Sequence, residues 1–244
     1  MICLFLAAGY ATRMYPLTLN RPKPLLDVGG KTILDWLLDD ISDSVDKFIV
    51  VTNQKYYDCF ADWAATRRED ITLLNDGSTC NENRLGAVKD IQFAVESCGI
   101  DEDMLVLAGD NLLDFSLKPF ITYASEKKAP CVMRYYQDDI EKLRKTGVAD
   151  VGEDDVIKTM LEKNPNPPYN WCIPPFYYYD RATVPMIKQG IDDGCGTDAP
   201  GNFLSWLVGK TKVYAMQMPG NRYDVGDIEG YEKIKKQYEL RRDS

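Results

Sequence analysis

Apolar residues in the first half of the chain follow two alternating rhythms. Residues 2–8 (ICLFLAA), 47–52 (KFIVVT), 71–74 and 104–108 (MLVLA) are short apolar runs, each closed by a glycine or an asparagine. Between them, residues 32–41, 56–65 and 85–95 space their apolar side chains helically, as in Ile33, Leu34, Leu37, Leu38 and Ile41, or Leu85, Val88, Ile91 and Val95. The runs predict buried strands and the stripes predict amphipathic helices packed on them. Such alternation builds a parallel sheet with helices on both faces, and ligands gather at the carboxyl ends of its strands. Gly9 and Asp110 stand at two such ends.

The second half is less regular. Strands are predicted over 129–136, 147–151, 156–161, 173–179 and 212–217, and helices over 181–189, 202–208 and 227–240. Residues 164–175 hold five prolines and predict an irregular, extended connection. No repeat, low-complexity tract or composition break divides the chain. Residues 1–244 therefore read as one α/β domain on a mixed, mostly parallel sheet.

Composition narrows the chemistry. With 45% hydrophobic and 27% charged residues, the chain is ordinary for a globular protein and unlike a disordered or disulfide-scaffold one. Lys+Arg 29 against Asp+Glu 38 leaves −9, a balance that repels nucleic acid and anionic lipid, so neither a nucleic acid nor a membrane is expected as a partner. There is no histidine, which removes Ser-His-Asp and Cys-His nucleophiles, imidazole general bases and His-ligated metals. Acid/base or metal chemistry falls to carboxylates, and phosphate handling to Lys, Arg and backbone N–H groups.

The seven cysteines are odd in number and never at C-x-x-C spacing, as suits reduced thiols in a cytoplasmic protein. The run 2–8 follows no basic residue and meets Arg13 at once, so it reads as a strand and not a leader. No stretch approaches the roughly 20 apolar residues of a membrane span.

The loop after the first strand carries the strongest signal. Ala7-Ala8-Gly9 lets another group approach the backbone closely, Thr12 and Arg13 follow, and Lys23 is held between Pro22 and Pro24. Small residues with a fixed Arg and a fixed Lys suit a polyphosphate. The same residues would also make a plain turn with two surface cations. Neither G-x-G-x-x-G nor G-x-x-x-x-G-K-[ST] is present.

What the loop resembles is the signature of the sugar-phosphate nucleotidyltransferases (nucleoside-diphosphate-sugar pyrophosphorylases). The resemblance is carried by Leu6-Ala7-Ala8-Gly9, Thr12-Arg13, Pro16-Leu17-Thr18 and Pro22-Lys23-Pro24-Leu25, with Ala11 where the family usually has a second glycine. Further motifs follow in order: Asn83-Arg84-Leu85-Gly86-Ala87 at a helix entrance, Leu107-Ala108-Gly109-Asp110-Asn111, Gly147-Val148-Ala149, Leu161-Glu162-Lys163, and Tyr223-Asp224-Val225-Gly226-Asp227. Similarity of this extent to the catalytic domains of glucose-1-phosphate thymidylyltransferases and mannose-1-phosphate guanylyltransferases implies a Rossmann-like three-layer α/β/α sandwich. It also implies an enzyme in which a sugar 1-phosphate attacks the α-phosphorus of a nucleoside triphosphate in line. The products would be an NDP-sugar and pyrophosphate, and the reaction would depend on Mg²⁺.

By the same resemblance, residues 1–115 would be the nucleotide-binding half and 116–244 the acceptor-binding half. Leu6, Ala7, Ala8, Gly9, Thr12, Leu85 and Gly86 would hold the nucleotide, Arg13 the β,γ-phosphates and Lys23 the region of the α-phosphate. Asp110 and Asp224 would bind Mg²⁺. Lys163 would take the acceptor's phosphate, with Asn111, Gly147, Glu162 and Ile173 lining the acceptor. The chemistry agrees: two carboxylates beside glycines can bracket a hard cation, and an already ionised phosphate nucleophile needs no histidine.

Two other readings stay open. Pro174, Pro175 and the aromatic run after them reshape the strand beyond Ile173. A cytidylyltransferase for a phospho-alcohol or phosphonate such as phosphocholine would fit, with Tyr177, Tyr178 and Tyr179 forming a cation cage or serving simply as strand residues. A non-catalytic nucleotide-binding regulatory module is the third reading.

Overall fold

The computed structural model describes residues 1–242, apart from the side chains of Asp224 and of residues 239–242. In chain order the elements are β1 (Ile2–Leu6), β2 (Asp27–Val28), β3 (Lys31–Thr32), α1 (Ile33–Ile41), β4 (Lys47–Thr52), α2 (Tyr57–Ala65), β5 (Ile71–Asn75), α3 (Ala87–Cys98), β6 (Met104–Ala108), β7 (Asn111–Leu113) and α4 (Lys118–Lys127). They continue with β8 (Cys131–Tyr136), α5 (Ile140–Leu143), β9 (Gly147–Val151), β10 (Ile157–Glu162), β11 (Trp171–Ile173), β12 (Phe176–Tyr179), α6 (Met186–Asp192), α7 (Pro200–Leu207), β13 (Tyr214–Gln217), β14 (Arg222–Asp224) and α8 (Ile228–Arg242).

The chain forms two compact units. The first takes Met1–Leu4, Leu85–Leu107 and Pro119–Pro219, and the second takes Phe5–Arg84, Ala108–Lys118 and the residues from Gly220 on. In the first unit the strands run β10-β9-β11-β8-β12-β6. Every pairing in that series is antiparallel, whereas β13 joins β8 in parallel. Tyr177, Tyr178 and Tyr179 of β12 are all buried, with Tyr179 packed edge-on against Phe203 of α7. The tyrosine run is therefore core, and it forms no cation cage.

In the second unit β4 and β5 pair in parallel, and Ala7 N–H after β1 donates to the Val51 carbonyl at 2.9 Å. Thr32 caps α1 reciprocally: its hydroxyl accepts from Asp35 N–H, while the Asp35 carboxylate accepts from Thr32 N–H. Met14, Leu26, Val28, Ile33, Leu112, Val225, Tyr231, Ile234 and Tyr238 make an apolar cluster. Met14, one residue from Arg13, anchors the loop in it.

The α/β class and mixed sheet match the sequence reading. Four local departures have physical causes. The run 173–179 is two strands, because Pro174 and Pro175 offer no N–H to a ladder. The helix expected from 181 starts at Met186, after a turn in which Thr183 donates to Asp180. The pairs β2–β3 and β7–β14 are too short for any periodicity. α4 carries too few apolar residues to write a helical stripe, and Pro119 stands in its first turn. No helix among the described residues is long and apolar enough to cross a membrane.

Candidate active site

In the second unit the first loop is built from prolines and buried polar side chains. Pro22 and Pro24 flank Lys23 in a single 3₁₀ turn, with Leu25 N–H bonded to Pro22 O at 3.0 Å and Leu26 N–H to Lys23 O at 3.1 Å. Lys23 is consequently only 6% exposed. Its ammonium lies 2.8 Å from Asp110 Oδ2 at the end of β6. Gly109, just before Asp110, packs closely here: a Cβ would meet Leu34 at 3.3 Å and Pro24 at 3.6 Å.

Leu6, Ala7, Gly9, Ala11, Arg13, Lys23, Asp110 and Gly226 line one cavity of about 190 Å³. Arg13 is exposed, Ala8 is buried, and Thr12 is exposed at the start of the 3₁₀ turn that Arg13 shares. Two residues that sequence reasoning passed over hold the loop. Asn53, fully buried at the exit of β4, donates to the Ala8 carbonyl at 2.9 Å, and Thr18 donates to the Ala11 carbonyl at 2.8 Å. Thr18 stood in the quoted motif, but Asn53 left no sequence signal beyond following a strand. Ala11 sits at φ 46°, ψ 43°, the left-handed region that favours glycine.

Asn111 is buried and engaged. Its amide donates to Ala108 O and Asp110 Oδ1, each at 3.1 Å, and its carbonyl accepts from Arg222 at 2.7 Å. Asp224 pairs with Asn111 across the β7–β14 ladder, which brings its backbone to the residue after Asp110, while its side chain lies outside the described residues.

In the first unit the acceptor-side residues form one row. Glu162 pairs with Gly147, and Gly147 with Ile173, across β10, β9 and β11. A Cβ at Gly147 would come within 2.7 Å of Glu162 Oε2, and one at Gly201 would collide with the same oxygen, so two glycines make room for this carboxylate. Burial pushes the Glu162 carboxyl above its ordinary value, the Lys163 ammonium pulls it down, and Asp198 adds to the rise. Lys163 stands at φ 47°, tied by its N–H to Thr146 O at 3.2 Å, with its exposed ammonium 3.8 Å from Asp198. Strain of this kind collects at functional sites.

Leu85 and Gly86 enter α3, whose first N–H groups, on Ala87 and Val88, donate to the Asp198 and Thr197 carbonyls at 3.1 Å each. Gly86 has φ +93° and no room for a Cβ.

A larger cavity of about 750 Å³, lined by Gly29, Trp36, Phe115 and Tyr238, contains none of the predicted residues. Lys31, Asp40 and Asp114 charge its wall, but the motif residues Arg13, Lys23 and Asp110 meet only on the smaller cavity, which is therefore the candidate site.

A family model described as "Nucleotidyl transferase" matches residues 2–241. The bifunctional protein GlmU of Methanocaldococcus jannaschii is 25% identical over 230 residues, covering 93% of this chain and 51% of its own length. The chain thus spans about half of that relative. The UTP–glucose-1-phosphate uridylyltransferase AglF of Haloferax volcanii is 26% identical over 235 residues, covering 93% of this chain and 91% of the relative. The crystal structure of an apo UDP-glucose pyrophosphorylase shares the fold, with a TM-score of 0.83 at 21% identity over 99% of this chain and 98% of the other.

Proposed function

The chain belongs to the nucleotidyl transferase family, and from that premise we propose that it condenses a nucleoside triphosphate with a sugar 1-phosphate to give an NDP-sugar and pyrophosphate. The observation that carries this reading is the meeting of Gly9, Arg13, Lys23 and Asp110 on one cavity. The relatives' names support the acceptor class: AglF is a glucose-1-phosphate uridylyltransferase. The burial of Tyr177, Tyr178 and Tyr179 removes the cation cage as support for phosphocholine.

Asp110 and Asp224 are the residues we assign to a divalent cation. Among the described residues no group of three His, Cys, Asp or Glu side chains could hold a metal. A site of two carboxylates suits Mg²⁺, which is commonly held by one or two carboxylates together with phosphate oxygens and water. When bound, the cation would neutralise charge on the reacting phosphates.

The chain's own residues do the rest. Arg13 grips the departing β,γ-phosphates, where charge grows as the α–β bond breaks. Lys23 serves the α-phosphate. Leu6, Ala7, Ala8, Gly9, Thr12, Leu85 and Gly86 seat the nucleotide. Lys163 holds the acceptor's phosphate, and Gly147, Glu162 and Ile173 line its sugar. The committed amide of Asn111 supports a role in orienting Asp110 beside its proposed place near the acceptor. Residues 1–115 would serve mainly the nucleotide and 116–244 the acceptor. Catalysis is then positioning and charge neutralisation, with no general base. None of the seven cysteines forms a disulfide, which supports a reducing, cytoplasmic setting.

The test is pyrophosphate release from ATP, CTP, GTP, UTP and dTTP, each with hexose 1-phosphates and phosphocholine. Turnover with a hexose 1-phosphate, lost on chelation and restored by Mg²⁺, is expected. Turnover with phosphocholine alone would overturn the acceptor class.

A further inference from the structure

Asp110, assigned above to the cation, is already engaged on both oxygens. Oδ2 receives the Lys23 ammonium at 2.8 Å and Oδ1 the Asn111 amide at 3.1 Å. The two contacts differ in kind. The amide is neutral and fixed from behind, since Asn111 also bonds Ala108 O and Arg222. The ammonium carries the positive charge that a divalent cation would otherwise bring to the same carboxylate. Nor is Lys23 a roaming surface cation: it is 6% exposed and its backbone is pinned by Pro22 and Pro24. Removing either partner of such a pair would leave a charge poorly compensated.

We propose that in the nucleotide-free protein Lys23 is a placeholder for the divalent cation on Asp110. The cation then reaches Asp110 only together with a triphosphate, whose oxygens draw the ammonium off the carboxylate. This inference rests on the metal assignment under Proposed function. Exchange of that kind keeps the buried ammonium and the part-exposed carboxylate compensated: Lys23 passes from carboxylate to phosphate while the cation takes its place. It also gives the flanking prolines a purpose. They fix the lysine's backbone, so that the exchange is a side-chain movement with little loop rearrangement.

Manganese titration of the nucleotide-free full chain, with free Mn²⁺ read by electron paramagnetic resonance, tests the idea. Wild type should bind Mn²⁺ weakly. Lys23→Met and Lys23→Gln should each bind about 10- to 100-fold more tightly, the range expected for releasing a charged hydrogen bond. Asp110→Asn should abolish that gain. Arg13→Met controls for bulk charge, because Arg13 lines the same cavity and makes no ion pair among the described residues. It should tighten binding by about threefold or less, the effect of a screened charge.

Equal affinity in wild type and the Lys23 variants overturns the placeholder, and so does an equal gain in Arg13→Met. Should the Lys23 variants fail to fold, tight binding by nucleotide-free wild type alone refutes it. The two readings fail separately. Retained turnover in Asp110→Asn sinks the metal assignment, whereas lost turnover with equal manganese affinity in wild type and Lys23→Met sinks only the placeholder.

Discussion

Gly86→Ala should be among the most damaging single-methyl additions in the chain, and the structure allows its cost to be worked out. At φ +93°, ψ 150°, Gly86 occupies a region open almost only to glycine, which costs another residue about 1–3 kcal/mol. The added Cβ would fall 2.9 Å from the Thr197 carbonyl carbon and 3.1 Å from Asp198 Cα, and it would collide with Thr197 O. These are backbone atoms that cannot swing aside. Moving them weakens the bonds from Ala87 and Val88 N–H to the Asp198 and Thr197 carbonyls, at about 1 kcal/mol each. The total is about 3–5 kcal/mol. A suitable reference lies at the other end of the same helix. Gly99 has φ +61° with nothing within 4 Å of a Cβ, so Gly99→Ala should cost only the left-handed backbone term, about 1 kcal/mol. Urea unfolding followed by circular dichroism and tryptophan fluorescence measures both, and melting should separate them by roughly 4–16 °C at about 2–4 °C per kcal/mol. Equal destabilisation by the two substitutions would refute the steric and hydrogen-bonding argument.

Four further outcomes follow from the same geometry. Gly201→Ala gains helix propensity in α7 but drives a Cβ into Glu162 Oε2, so stability should move by less than about 1 kcal/mol while KM for the acceptor rises; unchanged acceptor kinetics would remove Glu162 from the acceptor site. Because the folded carboxyl of Glu162 lies above its unfolded value, its stability contribution is complete below about pH 4.3 and is lost as pH rises through the folded value. Glu162→Gln should therefore raise Tm at pH 7 and have little effect near pH 4, as melts at the two pH values would show. Ala11→Gly should stabilise by about 0.5–1 kcal/mol, the left-handed strain relieved minus the glycine entropy gained in the unfolded chain, and a lowered Tm would contradict it. Arg13→Ala should cost turnover, on the order of 10²–10³-fold, whereas Lys163→Ala should mainly raise KM for the acceptor; the reverse split would exchange their roles.

Much of the fold was legible because long buried strands and helices write their period into the sequence. The runs 47–52 and 104–108 coincide with β4 and β6, and the stripe at 32–41 with α1 and its Thr32 cap. What escaped was set by distance. β14 exists only because it meets β7, more than a hundred residues away. Within the candidate site, Lys23 and Asp110 could each be named from motifs, but their 2.8 Å contact could not, since 87 residues separate them. Asn53 and Arg222 were invisible for a related reason. Each acts by bonding a neighbour's backbone or amide, and such partners carry no composition signal.

The three cations assigned to phosphate differ in how they are held, and that difference bears on their work. Lys23 is buried and paired, so much of its ordering entropy is already lost in folding. Arg13 is exposed, so in the proposed role a triphosphate would have to order it, and its grip would be realised only with ligand present. Lys163 is intermediate: its side chain is half exposed, but a left-handed backbone and the bond to Thr146 fix where that side chain starts. A preorganised group contributes to binding at little entropic cost, while one ordered late can reserve its strongest contact for the transition state. The gradient of burial from Lys23 to Arg13 therefore matches a division of labour in which Lys23 secures the nucleotide and Arg13 accelerates departure of pyrophosphate.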